Sequence, residues 1–342
     1  MDIRDRSPVR TSAMAQLAAS SVVTAALNLM HAGQWSAATG LLRAAEIDDP
    51  AEVRALAMTL AEVAVDQDFA QQTDTAEEPL AAAEQALKTS PDPTSRWDLN
   101  MLHLRKDYAT ELFHRPASAA STSHNDSHHA DTGELDARPE HGADGRESAT
   151  SGTAEAQSSA DNRERRVSGA ARAQVGADPD GAVGGTTEAW GGAVGLGERA
   201  VGLRDGGADD GRRGLASFYA GLIADNLQGE PEAAFGHFTA AFEFGERASD
   251  ELLMSFALRH LGDHAYTAGD LKLAREHWEQ STELRQKVGH LLGALAQQAL
   301  LSVLLRDEGD AAGSRALAVE INRWSSQVNI PFLVHETAGL MR

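Results

Sequence analysis

The 342 residues are 42% hydrophobic but only 5% aromatic, they carry a net charge of −21, and they include no cysteine. The charge divides as −8 over 1–114, −6 over 115–213 and −7 over 214–342, so no part is suited to nucleic acid or to an anionic membrane surface. The missing thiols exclude disulfides, thiolate metal sites and cysteine nucleophiles, and they fit a reducing, cytoplasmic compartment.

Residues 1–11 read as a flexible N-terminus. Arg4, Arg6 and Arg10 precede an apolar run, but Asp2 and Asp5 sit among them, and Gln16, Ser20, Ser21 and Thr24 interrupt it. A repeat helix is expected there rather than a signal peptide. Amphipathic stretches follow near 12–31, 35–47, 51–68, 77–89 and 95–114, with Pro91 and Pro93 marking a break. They define an N-terminal helical region, 12–114. No apolar run in the chain approaches the ~20 residues of a membrane span. Arginine outnumbers lysine 26 to 4, the usage of a GC-rich bacterial genome.

The composition changes sharply over 115–213. These 99 residues hold 17 of the 31 glycines and one aromatic residue, Trp190. Such a stretch cannot bury enough apolar surface to offset the entropy of ordering it, so a disordered low-complexity insertion is expected. Its histidines, His124, His128, His129 and His141, and the adjacent His114 lack the fixed geometry a metal needs and read as incidental.

Helical periodicity returns near 214–228, 231–247, 250–268, 271–286, 290–307 and 311–327, and no segment alternates in the strand manner. Gly229-Glu230, Gly269-Asp270 and Gly309-Asp310 recur 40 residues apart, each between two helical patterns. Glycine closes one helix in the left-handed conformation and Asp caps the next. In the middle copy Leu258-x2-Leu261-Gly262-x2-Ala265 precedes the turn and Ala274-x3-Trp278 follows it. The first copy reads Phe218-x2-Gly221-Leu222, then Ala234-x3-Phe238; the third reads Gln298-x2-Leu301-Ser302-x2-Leu305, then Ser314-x3-Ala318. In the N-terminal half, Val22-x2-Ala25-Ala26-x2-Leu29 leads through Gly33-Gln34-Trp35 to Ala38-x3-Leu42.

This pattern resembles the tetratricopeptide repeat, in a degenerate bacterial form of about 40 residues rather than 34. The resemblance implies an all-α fold, a TPR-like α-solenoid of antiparallel helix pairs, with a C-terminal repeat region over 214–342. Ile330-Pro331-Phe332-Leu333-Val334 would begin a terminal capping helix.

His260 and His264 share a helical face. The residue after His260 is Leu261, not the glutamate of a zinc protease, and Leu261 and Gly262 are already packing residues of the repeat. A structural role is therefore expected, with no metal and no cofactor. Gly195-x-Gly197-x-x-Ala200 matches a dinucleotide motif only in letters, since no strand precedes it. No catalytic constellation is found, so the chain reads as a non-enzyme.

The resemblance further implies a partner-binding groove lined by each repeat's first helix. Its residues would be Tyr219, Ile223 and Asn226, then Phe256, Arg259, Asp263 and Tyr266, then Arg306. The implied function is a protein–protein interaction scaffold or adaptor holding a protein or peptide, with neither nucleic acid nor membrane as partner. The alternative is a regulatory sensor whose repeats bind a signalling peptide or small ligand and control a separate effector, such as a transcriptional regulator.

Overall fold

A computed structural model describes residues 18–114 and 192–342. Residues 1–17 and 115–191 lie outside that description, and with them the predicted N-terminal tail, the start of the first predicted helix and most of the predicted insertion. The described residues form thirteen α-helices and no strand. In chain order they are α1 (Ala19–His31), α2 (Trp35–Arg43), α3 (Pro50–Gln71), α4 (Glu77–Thr89), α5 (Pro93–His114), α6 (Gly192–Asp205), α7 (Asp210–Ile223), α8 (Pro231–Ala248), α9 (Glu251–Thr267), α10 (Leu271–Lys287), α11 (Leu291–Asp307), α12 (Ala311–Gln327) and α13 (Pro331–Leu340).

The ends of these helices follow from local chemistry. Gly229, Gly269 and Gly309 have φ of 72°, 83° and 95°, which an L side chain rarely tolerates. Asp270 and Asp310 then accept hydrogen bonds from the N–H groups of Leu273 (3.0 Å) and Gly313 (2.8 Å). Pro50, Pro231 and Pro331 occupy first-turn positions, where a missing N–H costs nothing. Between α3 and α4 the Asp68 carboxylate gathers the loop, accepting from Thr73 and Thr75 hydroxyls and from the N–H groups of Thr75 and Ala76.

Each helix packs against its successor, giving the hairpins α1/α2, α3/α4, α5/α6, α7/α8, α9/α10 and α11/α12, with α13 laid over the last. Neighbouring hairpins pack in turn through α3 on α1 and α2, α5 on α3 and α4, α7 on α6, α9 on α8 and α11 on α10. This is an α-solenoid of antiparallel helix pairs, a TPR-like helical repeat. Small residues set the close approaches. Ala234, Ala274 and Ser314 are buried where the second helices meet the first. A Cβ on Gly262 would stand 2.4 Å from the Trp278 indole, and one on Gly221 2.5 Å from the Phe238 ring.

Those contacts correct the register of the first C-terminal copy. Gly262 precedes Gly269 by seven positions and Ser302 precedes Gly309 by seven, but Gly221 precedes Gly229 by eight. The extra residue is absorbed by a π-helical turn, Ala224–Gln228, at the end of α7. One inserted residue turns the helix before it by about 100° relative to its siblings. A fixed 40-residue offset therefore misplaces the residues of α7 that precede the turn.

A second difference lies at 192–213, which composition places inside the low-complexity insertion. Residues 192–205 form α6, and α7 begins at Asp210. The glycines dilute the apolar count without breaking its spacing: Leu196, Ala200 and Leu203 recur on one face and pack into the core that holds Trp97, Met101 and Leu104. The joint is specific. Trp97 Nε1 donates to Leu203 O (2.8 Å), Arg199 pairs with Asp107 (2.6 Å), and Arg212 holds Asp98 through both oxygens (2.8 and 2.9 Å). The described helices thus form one continuous series, α5 and α6 closing a hairpin whose connection runs through 115–191. At the far end, Ile330 and Leu333 bury against Leu295 and Ile321.

Candidate functional site

The predicted groove residues lie on α7 and the π turn after it, on α9 and on α11; α7 meets α5, and the start of α11 meets α1. Tyr219 stands edge-on to Tyr108 of α5 at 5.9 Å, and its hydroxyl helps to raise the Arg105 pKa. His31, ending α1, lies 5.5 Å from the ring of His290, which opens α11. Leu292 packs into the apolar cluster of α1 to α3.

The structure gathers some predicted residues and separates others. Tyr219, Phe256, Arg259 and Asp263 share one region, with Phe218 linking the first two through ring contacts of 5.5 and 5.3 Å. Tyr266 and Arg306 meet at a second point, where both hydrogen-bond Asp307. Asn226, in the π turn, donates to the Tyr108 hydroxyl at 2.8 Å. Ile223 is fully buried in the helical core and lines no groove. Asp263 is also buried, with Oδ2 3.7 Å from His260 Nδ1.

His260 and His264 have structural surroundings. His260 stacks on Phe238 at 4.6 Å, and His264 Nε2 lies 3.9 Å from Asp225 of the π turn. Among the described residues no group of three or more His, Asp or Glu side chains is placed to hold a metal. The histidine-rich tract after His114 lies outside those residues. The Gly195–Ala200 motif sits within α6 and not at a strand-to-helix junction.

Sequence reasoning missed the charged half of this region. Arg105 on α5 faces Glu62 and Asp66 of α3, each at 3.8 Å. Asp66 also accepts from Trp35 Nε1 at 2.8 Å. Burial alone would lower the Arg105 pKa, but Tyr219, Glu62 and Asp66 together hold it above its usual value. Arg285, near the end of α10, is 4% exposed. Its guanidinium lies over the Phe256 ring at 5.2 Å and donates from Nη1 to Gly293 O at 2.9 Å. Burial, aided by the charge of Arg259 and opposed by that of Asp263, holds its pKa down to about 9. His290 caps α11 by accepting from Gly293 N–H on Nδ1 (3.0 Å), and burial next to Arg285 holds its own pKa at about 3, so it is neutral. A Cβ on Gly293 would collide with both His290 Nδ1 (2.4 Å) and Arg285 Nη1 (2.6 Å), so glycine makes this corner possible.

One signal for Arg285 was legible. Ala274, Trp278, Ser281, Thr282 and Arg285 follow one helical face, and all five are buried. An arginine on a packing stripe is an exception that asks for a reason.

No protein-family model matches the chain, and no curated protein matches it. Among solved structures it is similar to a crystal structure of a Signal Transduction ATPase with Numerous Domains (STAND) protein with a tetratricopeptide repeat sensor, from Pyrococcus horikoshii. The identity is 13% and the TM-score 0.40, over 94% of this chain and 38% of that one. The chain thus spans well under half the length of that protein. The helical-repeat class rests on the hairpins described above.

Proposed function

We propose that this chain is a non-catalytic interaction module, acting in the cytoplasm, that receives a protein or peptide on the inner face of its helical repeats. The observation that carries the reading is the row of half-buried aromatic and arginine side chains on first helices, Tyr219, Phe256, Arg259 and Tyr266. Aromatic and arginine anchors in partly desolvated positions dominate binding energy at interfaces. The acidic surface disfavours nucleic acid and anionic lipid as competing partners. No helix among the described residues is long and apolar enough to cross a membrane.

The test compares partner capture by the intact chain and by an Arg259→Ala/Tyr266→Ala variant with the same helical circular dichroism. A partner held by the first and lost by the second supports the inner face as the working surface. Equal capture by both sinks that assignment. In the sensor reading, the N-terminal and C-terminal first helices that meet at Tyr219–Arg105 and His31–His290 would move apart or together when ligand binds. A change in small-angle scattering on adding the captured partner separates that reading from a passive scaffold.

A further inference from the structure

The main joints of the solenoid run between neighbouring hairpins. One contact departs from that order. His31, the last residue of α1, and His290, the cap of α11, bring the first hairpin and the sixth together with their rings 5.5 Å apart. Leu292, two residues further on, packs into the apolar cluster built by α1, α2 and α3. Phe256, on the predicted groove row, stands edge-on to His290 at 5.6 Å, so the joint lies at the inner face.

The charges around the two imidazoles are uneven. His290 faces Arg285 of α10, Arg105 of α5 and His31 of α1, while α9 offers it the Phe256 ring. Behind it, Arg259 and Asp263 of α9 act on Arg285 with opposite signs, and Glu62 and Asp66 of α3 face Arg105. Asp66 also acts on His31, so the compensating carboxylate stands on the His31 side. Neutral rings pack here; each added proton sets a cation against other cations in a partly desolvated place. Burial holds both histidines below their usual range, His290 at about 3. The joint is therefore favoured fully above pH 6.5 and loses that advantage as pH falls toward 3.

We infer that the His31–His290 contact, with Leu292 seated beside it, is an acid-released latch that holds the first and sixth hairpins together and opens the inner face when it parts. In a repeat array each hairpin is stabilised by the ones beside it, so parting the latch leaves every neighbour interface intact. The helices stay folded while the two hairpins separate. What the release serves rests on the partner reading above; the release itself is tested without a partner, so the two can fail separately.

The chain has no cysteine, so Asn28→Cys on α1 and Ala312→Cys on α12, both at exposed positions, carry a pair of spin labels on the otherwise native full chain. The distance between them is read by pulsed electron resonance from about pH 7.5 down to the lowest pH that keeps the native helical circular dichroism. A single narrow distance is expected at the top of that range. Below about pH 6.5 a longer, broader population should grow, by up to about a hundredfold per pH unit if opening takes up two protons. His31→Phe/His290→Asn keeps a ring and a capping acceptor but cannot titrate, and it should hold the narrow distance throughout. Leu292→Ala leaves both histidines and weakens the apolar part of the latch; a tenfold weaker latch opens about half a pH unit higher. No lengthening in the native chain before its helices melt overturns the latch. So does equal lengthening in the folded double variant, or an unmoved transition in Leu292→Ala, which decides the matter if the double variant does not fold.

Discussion

Gly262 on α9 lies flat against the indole of Trp278 on α10, so close that a single added Cβ would stand 2.4 Å from the ring. The contact is completed by a hydrogen bond from Trp278 Nε1 to the Arg259 carbonyl at 3.0 Å. Gly262→Ala must therefore displace a large, fully buried side chain. A loss of about 1–3 kcal/mol is expected, the usual cost of overpacking, read by urea unfolding. Gly269→Ala, which meets no atom within 4 Å but has φ of 83°, should lose stability through backbone strain alone.

Stability should fall with acid, and the direction follows from His290. Its folded pKa, about 3, lies below the unfolded 6.5, so the unfolded chain binds the extra proton between those values. The contribution is complete above pH 6.5 and is lost as pH falls toward 3, at up to about 1.4 kcal/mol per unit. His31, also lowered by burial, acts in the same direction. His290→Asn removes the larger titration, and urea midpoints measured from pH 7 down to about 4 should then decline less steeply. A slope identical to that of the native chain would refute the assignment.

The α5/α6 joint predicts that residues 115–191 can be replaced. Trp97 lies beside Leu203, and Asp107 beside Arg199, so the two helices run antiparallel and bring His114 near Gly192. A Gly/Ser connection of about six residues should preserve the helical circular dichroism and add roughly 2 kcal/mol through reduced loop-closure entropy. Loss of helicity would mean that this hairpin depends on its connection.

Trp97→Phe keeps the ring in its pocket but removes the N–H that reaches Leu203 O. A loss of about 1 kcal/mol is expected, the ordinary net worth of one hydrogen bond. Proteolysis should then begin between α5 and α7 at lower urea than in the native chain.

Much of this fold is written locally. The Gly-Asp turns, the first-turn prolines and the small residues opposite Phe238 and Trp278 can be read because each is a short-range steric or capping requirement. Two features escaped for physical reasons. In α6, glycines mask a sound apolar spacing, so composition suggests an unordered segment where Leu196 and Ala200 are buried. In α7 the extra residue shows only as a spacing of eight where its siblings have seven. The charged region was harder still. Arg105 and Tyr219 are 114 positions apart, and their contact depends on how the first helices of distant hairpins meet. Local periodicity carries no information about that.

The π turn has a further consequence. In a regular helix, the face offered at one end dictates the face offered at the other. The extra residue in Ala224–Gln228 uncouples them. Upstream of it, Gly221 is aimed at Phe238; within it, Asn226 reaches Tyr108 and Gln228 reaches the Ala193 carbonyl. α7 can thus satisfy its own hairpin partner and the preceding hairpin independently. It works as a phase adapter between two stretches of the solenoid whose windings need not match.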